Sequence, residues 1–517
     1  MDGVAGEGVG LLNVWAVGAF VVYLVVILGI GVAAARFSSR GISEFFVAGR
    51  RLNRFVVALS AVTSGRSAWL LLGMTGMAYT MGASALWAAV GYTLVEGLLF
   101  LFFAPRLRRF AETYDCITLP DFFARRFEDD DGRLRMALAL VFGVFLVAYV
   151  AAQFVGGGKA MAASFHVDPT VGLLLTAGFV LAYTTLGGFL AVSLTDALQG
   201  VLMLAALLGL PLVAAFSLGG PGLVLAELRA FDPTLLDPMA LSMGALVGFV
   251  GIGLAAPGNP HIVIRYMSID DPRHFPYVAV VGTAWNAFMA LGAILIGLVG
   301  RVYLPDVATL PQADPENLLP VLAQAFLPPA LFGMVVAAIF AAIMSTADSQ
   351  LLVMASTLVR DLYQQLWKKK AELTDESLVR LSRIVVTLLV VVSVVLGLVG
   401  DQLVFWLVLF AVAGLGGALG PPSLLAIFWR RTTRAGVFAG MGVGAGTAVI
   451  WFLTPALKAM VYELVPAFAL GLLATVAVSL VTHPPDDVEE LFHAMESKPE
   501  PGGSVGFQQA GAGSGSS

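Results

Sequence analysis

A group of oxygen-bearing side chains lies inside an otherwise apolar stretch, at residues 341–350 (AAIMSTADSQ). Ser345, Asp348 and Ser349 follow one another at helical spacings of three and four residues, so they share one face of a helix. Hydroxyl and carboxylate oxygens are hard ligands, which suit a small hard cation better than a soft metal. The pattern therefore predicts a cation site within the apolar stretch.

Further ionisable side chains lie within other apolar stretches: Arg66, Glu96, Lys159 and Asp196. A charge surrounded by apolar residues is costly unless it is paired, which makes such positions candidates for function. We expect Lys159 to extend its amine to the end of its stretch, towards water. The other three are candidate members of a buried polar site.

The composition places these side chains in a membrane. The 517 residues have a mean hydropathy of +0.90, and only 12% of them are charged, about half of what soluble proteins carry. A soluble enzyme, a disordered scaffold and a nucleic-acid-binding protein are therefore excluded, and the net charge of −5 indicates no polyanionic partner. One cysteine, Cys116, allows neither an intramolecular disulfide nor a cysteine-based metal site.

Apolar stretches recur along the chain, and a bilayer crossing needs about 20 residues. We count thirteen candidate spans. They lie at about 12–34, 55–80, 84–104, 136–163, 169–188, 190–216, 240–266, 276–302, 323–358, 384–400, 403–428, 435–454 and 460–481.

The basic residues predict how the chain is oriented in the cell membrane. If the N-terminus is outside, 24 of the 29 Lys and Arg residues, Arg265 among them, fall on the opposite side. Because cytoplasmic loops are enriched in Lys and Arg, we expect an external N-terminus and a cytoplasmic C-terminus. The polar tail, residues 483–517, ends in a Gly/Ser-rich segment and is expected to be disordered.

Two of the thirteen spans are interrupted by polar or helix-breaking residues. The second contains the segment 60–69 (SAVTSGRSAW), and the seventh contains 256–261 (APGNPH). Irregular backbone is tolerated in a membrane only where it lines a cavity or contacts protein. Each interrupted span opens a run of five spans, so the second run is inverted. Paired breaks of this kind indicate the midplane binding site of a secondary transporter.

Motifs throughout residues 12–482 resemble the sodium:solute symporter family, in particular the bacterial sodium/proline symporters. They are FFVAGRRL (45–52), SAW followed by LLLGMTG (67–76), TLPDFFARRFED (118–129), GGFLAVSLTDALQ (187–199), NPHIVIRYM (259–267), AAIMSTADSQLLV (341–353) and AGLGGALGPP (413–422).

The resemblance implies an all-α polytopic membrane protein with a LeuT-type fold of five plus five inverted helices. In this arrangement residues 1–482 form the transporter domain. Its parts are an extra helix at 12–34, the first repeat at 55–216, the second repeat at 240–428 and two final helices at 435–481.

The resemblance also implies two cation sites and a solute site. The first sodium would be held by the backbone carbonyls of Thr63, Arg66 and Ala342 and the hydroxyls of Ser345 and Thr346. A second sodium, as in some relatives, would use Ser345, Asp348, Ser349 and Asp196. The solute would lie near Ser67, Ala68 and Trp69 on one side and Ile252, Ala256, Asn259 and Pro260 on the other. No cofactor is implied beyond Na⁺ or H⁺ as the coupling ion.

This chain departs from the family pattern at the site itself. Proline symporters have an acidic residue at Gly65, an apolar one at Arg66, and aromatic residues at Ile252 and Ala256. One hypothesis places the Arg66 guanidinium at the sodium position, paired with Asp348, Asp196 or Glu96. A second points it away from that position, and a third makes it the anchor for an anionic solute group.

From these features we expect a secondary active transporter, not an enzyme. It would import a small organic solute, proline or a related amino acid or carboxylate, by sodium symport. A sodium-independent or proton-coupled transporter, with Arg66 in place of sodium, is the alternative. A non-transporting membrane sensor is the alternative from another class. The sequence does not indicate an oligomeric state.

Overall fold

The computed structural model describes residues 13–367, 374–399 and 404–497. Within these ranges the chain is helical, and its only ladder pairing is an isolated bridge between Leu52 and Ile269. The α-helices are α1 (Val14–Ser38), α2 (Ile42–Val47), α3 (Arg54–Ala68), α4 (Thr75–Met81), α5 (Leu86–Leu98), α6 (Ala104–Thr113), α7 (Leu119–Arg126), α8 (Arg133–Phe165), α9 (Pro169–Ser217), α10 (Pro221–Phe231), α11 (Met243–Gly251), α12 (Pro260–Ser268), α13 (Phe275–Tyr303), α14 (Leu318–Phe326), α15 (Pro329–Ser356), α16 (Asp375–Val399), α17 (Val404–Phe428), α18 (Arg434–Leu453), α19 (Pro455–Lys458), α20 (Leu464–Val481) and α21 (Val488–Glu496).

Shorter helical segments join several of these helices. The π-helical segments are Trp69–Met74, Leu99–Phe103 and Thr357–Trp367. The 3₁₀ segments are Ala48–Arg50, Gly82–Ala85, Pro233–Leu236, Ile252–Gly258, Pro272–His274, Val307–Thr309, Pro311–Ala313 and Pro315–Asn317.

Ten helices of the described residues are long and apolar enough to cross a membrane, or eleven if the bent pair Met243–Gly258 and Pro260–Ser268 is one span. The predicted number of thirteen is not confirmed by this count. Two of the ten, Arg54–Thr113 and Pro169–Ser217, are 60 and 49 residues long, more than twice what one crossing needs. The first is interrupted at Gly82, where φ is +64°.

The two predicted breaks are present. In the first, Ser67 has a φ of +47° near the end of α3, and a π-helical segment follows. In the second, α11 continues as the 3₁₀ segment Ile252–Gly258 and then bends by 52° into α12. Proline has no backbone N–H, so Pro257 and Pro260 cannot donate the bonds of a continuous α-helix.

The centre of the bundle is α15, which packs against α1, α3, α8 and α9. Every residue of α15 from 335 to 356 is buried. Outer helices instead expose large apolar side chains, such as Val22, Leu388 and Leu473, as expected for a surface that contacts lipid. The hydroxyl-rich patch of α15 is therefore enclosed by protein and not by lipid.

Loops that the basic residues assign to one side of the membrane contact one another. Arg50 pairs with Asp115 at 3.0 Å, and Arg434 pairs with Asp129 at 2.7 Å. We call this side of the molecule, with Arg50, Arg106, Arg125, Arg430 and Arg434, the basic face.

Lys159 lies away from the basic face. Its amine pairs with Asp314 at 3.0 Å and Glu316 at 2.7 Å, and its side chain is only 20% exposed. The amine thus reaches a loop beyond the apolar stretch, as expected, and two carboxylates of that loop partly cover it.

The expectation of a disordered tail from residue 483 is wrong for α21. Leu491, Phe492 and Met495 are spaced so that they lie on one face of this helix, and all three are buried against the basic face. An apolar stripe of this kind needs a surface to cover it, which the arginine-rich loops provide. The Gly/Ser-rich end of the tail lies outside the described residues.

A close approach between α5 and the second break requires glycine. A Cβ built on Gly253 would collide with the carbonyl oxygen of Gly91. We expect Gly253→Ala to destabilise the protein by about 1–3 kcal/mol, because the two backbones would have to separate. Thermal unfolding of the purified protein measures this. Gly178→Ala is the matched control, since a Cβ there meets nothing within 4 Å; equal melting temperatures for the two variants would contradict the prediction.

Candidate functional site

A cavity lies between the two broken helices. Of the predicted solute-site residues, Trp69, Ile252, Ala256 and Asn259 line it. The full set of lining residues is Gly65, Arg66, Trp69, Tyr92, Glu96, Tyr149, Ile252, Gly253, Ala255, Ala256, Asn259, Ile262, Val408, Leu409 and Val412. The wall is thus mostly apolar and aromatic, with one ion pair.

The other predicted solute-site residues, Ser67, Ala68 and Pro260, are not among the lining residues. The Ala68 N–H donates to Gln153 Oε1 at 3.0 Å, and the Tyr149 hydroxyl donates to Ser67 Oγ at 3.3 Å. Pro260 is the first residue of α12. These residues shape the breaks and hold their backbone in place.

The Arg66 side chain points into this cavity. Its guanidinium pairs with the Glu96 carboxylate, and each side chain is 4% exposed. The guanidinium carbon lies 4.0 Å from the centroid of the Tyr92 ring, a cation–π geometry. Asn286 donates to the second oxygen of Glu96. Of the three carboxylates considered from the sequence, Glu96 is the partner.

The predicted first cation site is partly assembled. Ser345 Oγ lies 3.2 Å from the Ala342 carbonyl oxygen and 3.5 Å from that of Thr63. Thr346 Oγ1 instead donates to the Ser64 carbonyl at 2.8 Å. Ser345 therefore brings together carbonyl oxygens from α3 and α15, the oxygen type that a small hard cation prefers.

The remaining predicted ligand of this site, the Arg66 carbonyl, lies in the last turn of α3. It accepts a hydrogen bond from the Trp69 N–H across the break. Thr63 Oγ1 is buried without a hydrogen-bond partner among the described residues. This hydroxyl lies against Gly200 of α9, so the carbonyl of Thr63, and not its hydroxyl, faces Ser345.

The predicted second cation site contains an arginine that was counted among the basic residues of one side of the membrane. Arg265 is fully buried in α12, and its Nη2 lies 2.7 Å from Asp196 Oδ2 and 2.6 Å from Ser349 Oγ. Its Nε donates to Ser60 Oγ at 2.7 Å. Counting Arg265 with the basic residues of the loops is therefore wrong. Its position within the apolar segment HIVIRYM is the signal that could have identified it as buried.

Asp348 lies in the same cluster. The Tyr183 hydroxyl donates to Asp348 Oδ2 at 2.5 Å, and Ser349 Oγ donates to Oδ1 at 2.9 Å. Asp196 and Asp348 are both fully buried; Asp196 pairs with the guanidinium directly, and Asp348 is connected to it through Ser349. If both carboxyls are ionised, the cluster has one negative charge in excess, which a further cation or a proton would balance.

Comparisons with known proteins agree with this geometry. The family model described as "Sodium:solute symporter family" matches residues 45–444. The osmoregulated proline transporter OpuE of Bacillus subtilis is 37% identical over 92% of this chain and 96% of its own length. The high-affinity proline transporter PutP of B. subtilis is 38% identical over 86% of this chain and 93% of its own length. A sodium/proline symporter of Staphylococcus aureus is 36% identical, with 90% and 92% covered.

Among solved structures, a Na⁺-coupled sialic acid symporter in a substrate-bound, outward-open state superposes with a TM-score of 0.78. It is 20% identical and covers 92% of this chain and 99% of its own. The expected fold class, an all-α polytopic membrane protein of LeuT type, is confirmed by this likeness. The expectation of a secondary transporter and not an enzyme is confirmed by the family match. The chain belongs to the sodium:solute symporter family.

Proposed function

We propose that the protein imports proline, or a closely related zwitterionic amino acid, by sodium symport. The observation that carries this proposal is the Arg66–Glu96 ion pair in the wall of the cavity between the broken helices. The three relatives named above, whose names describe proline transporters, support the substrate.

We infer that the solute is neutral overall. The cavity already contains one positive and one negative side chain, so an anionic or cationic solute would leave an unbalanced charge in a water-poor site. A zwitterion has no net charge and leaves the charges in the cavity balanced. Arg66 Nε is buried without a hydrogen-bond partner among the described residues, as is Asn259 Oδ1. Arg66 is placed to bind the solute carboxylate, and the Asn259 oxygen to accept an N–H from the solute amine.

Aromatic walls for this solute come from helices other than the seventh span. Ile252 and Ala256, where the family resemblance implies aromatic residues, offer none, but the rings of Trp69, Tyr92 and Tyr149 line the cavity. Trp69 and Tyr92 pack edge to face, with centroids 5.7 Å apart. A small apolar ring such as that of proline suits such a wall.

We propose that Na⁺ binds at Thr63, Arg66, Ala342, Ser345 and Thr346. Only the backbone carbonyl of Arg66 belongs to this site, because its guanidinium lies in the solute cavity. This position does not support the hypothesis that the guanidinium replaces sodium. It therefore favours sodium coupling over the sodium-independent alternative. A second cation, Na⁺ or H⁺, would be held by Asp348 with Ser345, Ser349 and Asp196.

We propose that the basic face is cytoplasmic, with the N-terminus outside. Loops rich in arginine from distant parts of the chain meet on this face, and cytoplasmic loops of membrane proteins have an excess of basic residues.

Sodium dependence tests the proposed coupling. We expect proteoliposomes to accumulate labelled proline on a sodium gradient and to lose this uptake when choline replaces sodium at fixed pH. Ser345→Ala should raise the half-saturating sodium concentration about ten- to hundredfold, because one ligand to a charged group is worth about 1.5–3 kcal/mol. Ser356→Ala is the control, since this hydroxyl of the same helix bonds only to the Val353 carbonyl. Full uptake in choline would overturn sodium coupling.

The role of Arg66 is tested by changing both members of its ion pair. The double variant Arg66→Met/Glu96→Gln leaves no unpaired charge. We expect its KM for proline to rise about ten- to hundredfold, through loss of a charged hydrogen bond. Competition by prolinamide, which lacks the carboxylate, should match that by proline in the double variant and be weaker in the native protein. A native KM for proline in the double variant would rule out the anchor.

The two aspartates of the second cluster should behave differently. Asp196→Asn leaves the Arg265 guanidinium buried without its ion-pair partner, and we expect a loss of about 3–5 kcal/mol in stability. Asp348→Asn removes the excess negative charge, so it should fold normally but gain less stability from added sodium than the native protein. Thermal unfolding with and without sodium measures both, and equal destabilisation of the two variants would contradict this assignment.

A further inference from the structure

The C-terminal helix crosses the basic face and contacts both repeats. We call residues 487–496 the strap. Its helix α21 packs on α6, which belongs to the first repeat. Arg109 of α6 donates to the Met495 carbonyl at 3.1 Å. Arg430, which follows the last helix of the second repeat, pairs with Glu496 at 3.2 Å.

Ion pairs at the protein surface attach the strap to this face. Glu496 also lies 3.6 Å from Arg106, and Asp487 lies 3.1 Å from Arg125. Arg430 is 3.5 Å from Glu489, whose side chain is 79% exposed. Such pairs contribute little individually and are screened by salt, since the Debye length falls from about 10 Å at 0.1 M to about 3 Å at 1 M.

Beneath the strap lies a buried arginine with no carboxylate bonded to it. Arg126 is completely buried, its Nε donates to the Ala426 carbonyl at 3.1 Å, and its two Nη atoms have no hydrogen-bond partner among the described residues. Phe492 of the strap covers its guanidinium, with 5.1 Å from the ring centroid to the guanidinium carbon. Burial lowers the pKa of Arg126 to about 10. Lifting the strap would restore water to this group.

Opposing contributions therefore act on the strap. Burial of Leu491, Phe492 and Met495 and the surface ion pairs hold it down. The dehydrated Arg126 guanidinium and the conformational entropy of the ordered segment oppose docking. Of these contributions, the ion pairs alone are strongly weakened by ordinary salt.

We propose that the strap is an ionic-strength-sensitive brake on transport. Docked, it ties α6 and α7 of the first repeat to the end of α17 in the second, and so restrains their relative movement on the basic face. Alternating access requires elements of such a fold to rock against one another around the site. Higher ionic strength on this side screens the ion pairs, releases the strap and speeds the cycle.

Cysteine accessibility tests the release directly. In a Cys116→Ser background, Met495→Cys places a thiol under the docked strap, since Met495 is fully buried. We expect its rate of maleimide labelling in the purified protein to rise at least threefold between about 0.05 and 0.5 M KCl. Adding Glu496→Gln, which removes the carboxylate shared by Arg106 and Arg430, should raise the labelling rate at low salt and reduce its dependence on salt.

Asp486→Asn is the matched control, because it also removes one negative charge. Asp486 lies next to the strap but forms no ion pair among the described residues, whereas its neighbour Asp487 does. It should leave the labelling rate and its salt dependence unchanged. Labelling that does not depend on salt, or an equal effect of Asp486→Asn and Glu496→Gln, would overturn the proposal.

Transport supplies the second measurement. Here the proposal rests on the proposed function and on the cytoplasmic placement of the basic face. With a constant sodium gradient, KCl inside proteoliposomes should raise the maximal rate of proline uptake two- to fivefold in the native protein, with KM unchanged. Glu496→Gln should be faster than the native protein at low salt and respond less to added salt, while the pairs of Asp487 and Glu489 remain. Equal salt dependence in both proteins would refute the brake, whereas absence of proline uptake with salt-dependent labelling would refute only the substrate.

Discussion

The ion pair between Asp196 and Arg265 holds the centre of the molecule together. Asp196 lies on α9 and Arg265 on α12, while the same guanidinium bonds to Ser60 of α3 and Ser349 of α15. Four helices thus meet at a single fully buried charge. A guanidinium without these partners would be prohibitively costly at this depth, so the helices that carry them cannot separate far from one another. This constraint fixes α12, which follows the second break, against α3, which precedes the first break.

Arg66 and Arg265 divide the polar interior into two compartments. Arg66 and Glu96 form a neutral pair beside the solute cavity, whereas Arg265 pairs with Asp196, and Asp348 joins this cluster through Ser349. In the proposed function, the first compartment would hold the neutral solute and the second a cation. Residue 66 contributes to both proposed sites, with its side chain in the solute cavity and its carbonyl at the break, where the Trp69 N–H bonds to it. A shift of residue 66 on solute binding would therefore also move its carbonyl oxygen, which belongs to the proposed sodium site.

Features that follow from local chemistry were predictable from the sequence. The breaks at Ser67 and Pro257 were evident because proline, glycine and clustered polar residues disrupt a helix wherever they occur. The shared face of Ser345, Asp348 and Ser349 was evident because helical spacing alone determines it. The membrane class followed from composition, and the family from motifs along most of the chain.

Features that depend on the relative placement of helices were not predictable. The direction of the Arg66 side chain depends on how α3 is rotated about its axis relative to α5, which carries its partner Glu96. Arg265 was misassigned because its partners lie on other helices, far away in sequence. The helix α21 was missed because its short apolar stripe becomes stable only against arginines supplied by α6, α7 and the end of α17.

Both cations beside the proposed sites are arginines, and the contacts explain why lysine would not replace them. Arg265 donates from three nitrogens to Ser60, Asp196, Ser349 and the His261 carbonyl, which are spread around a planar group. An ammonium offers three donors from one point and loses its proton more readily when buried, whereas a guanidinium keeps its charge. Helices that rock between two states need a charge that persists in both. The contacts of these side chains therefore require a planar group that keeps its charge. A lysine at either position would be positive but would not preserve the contacts.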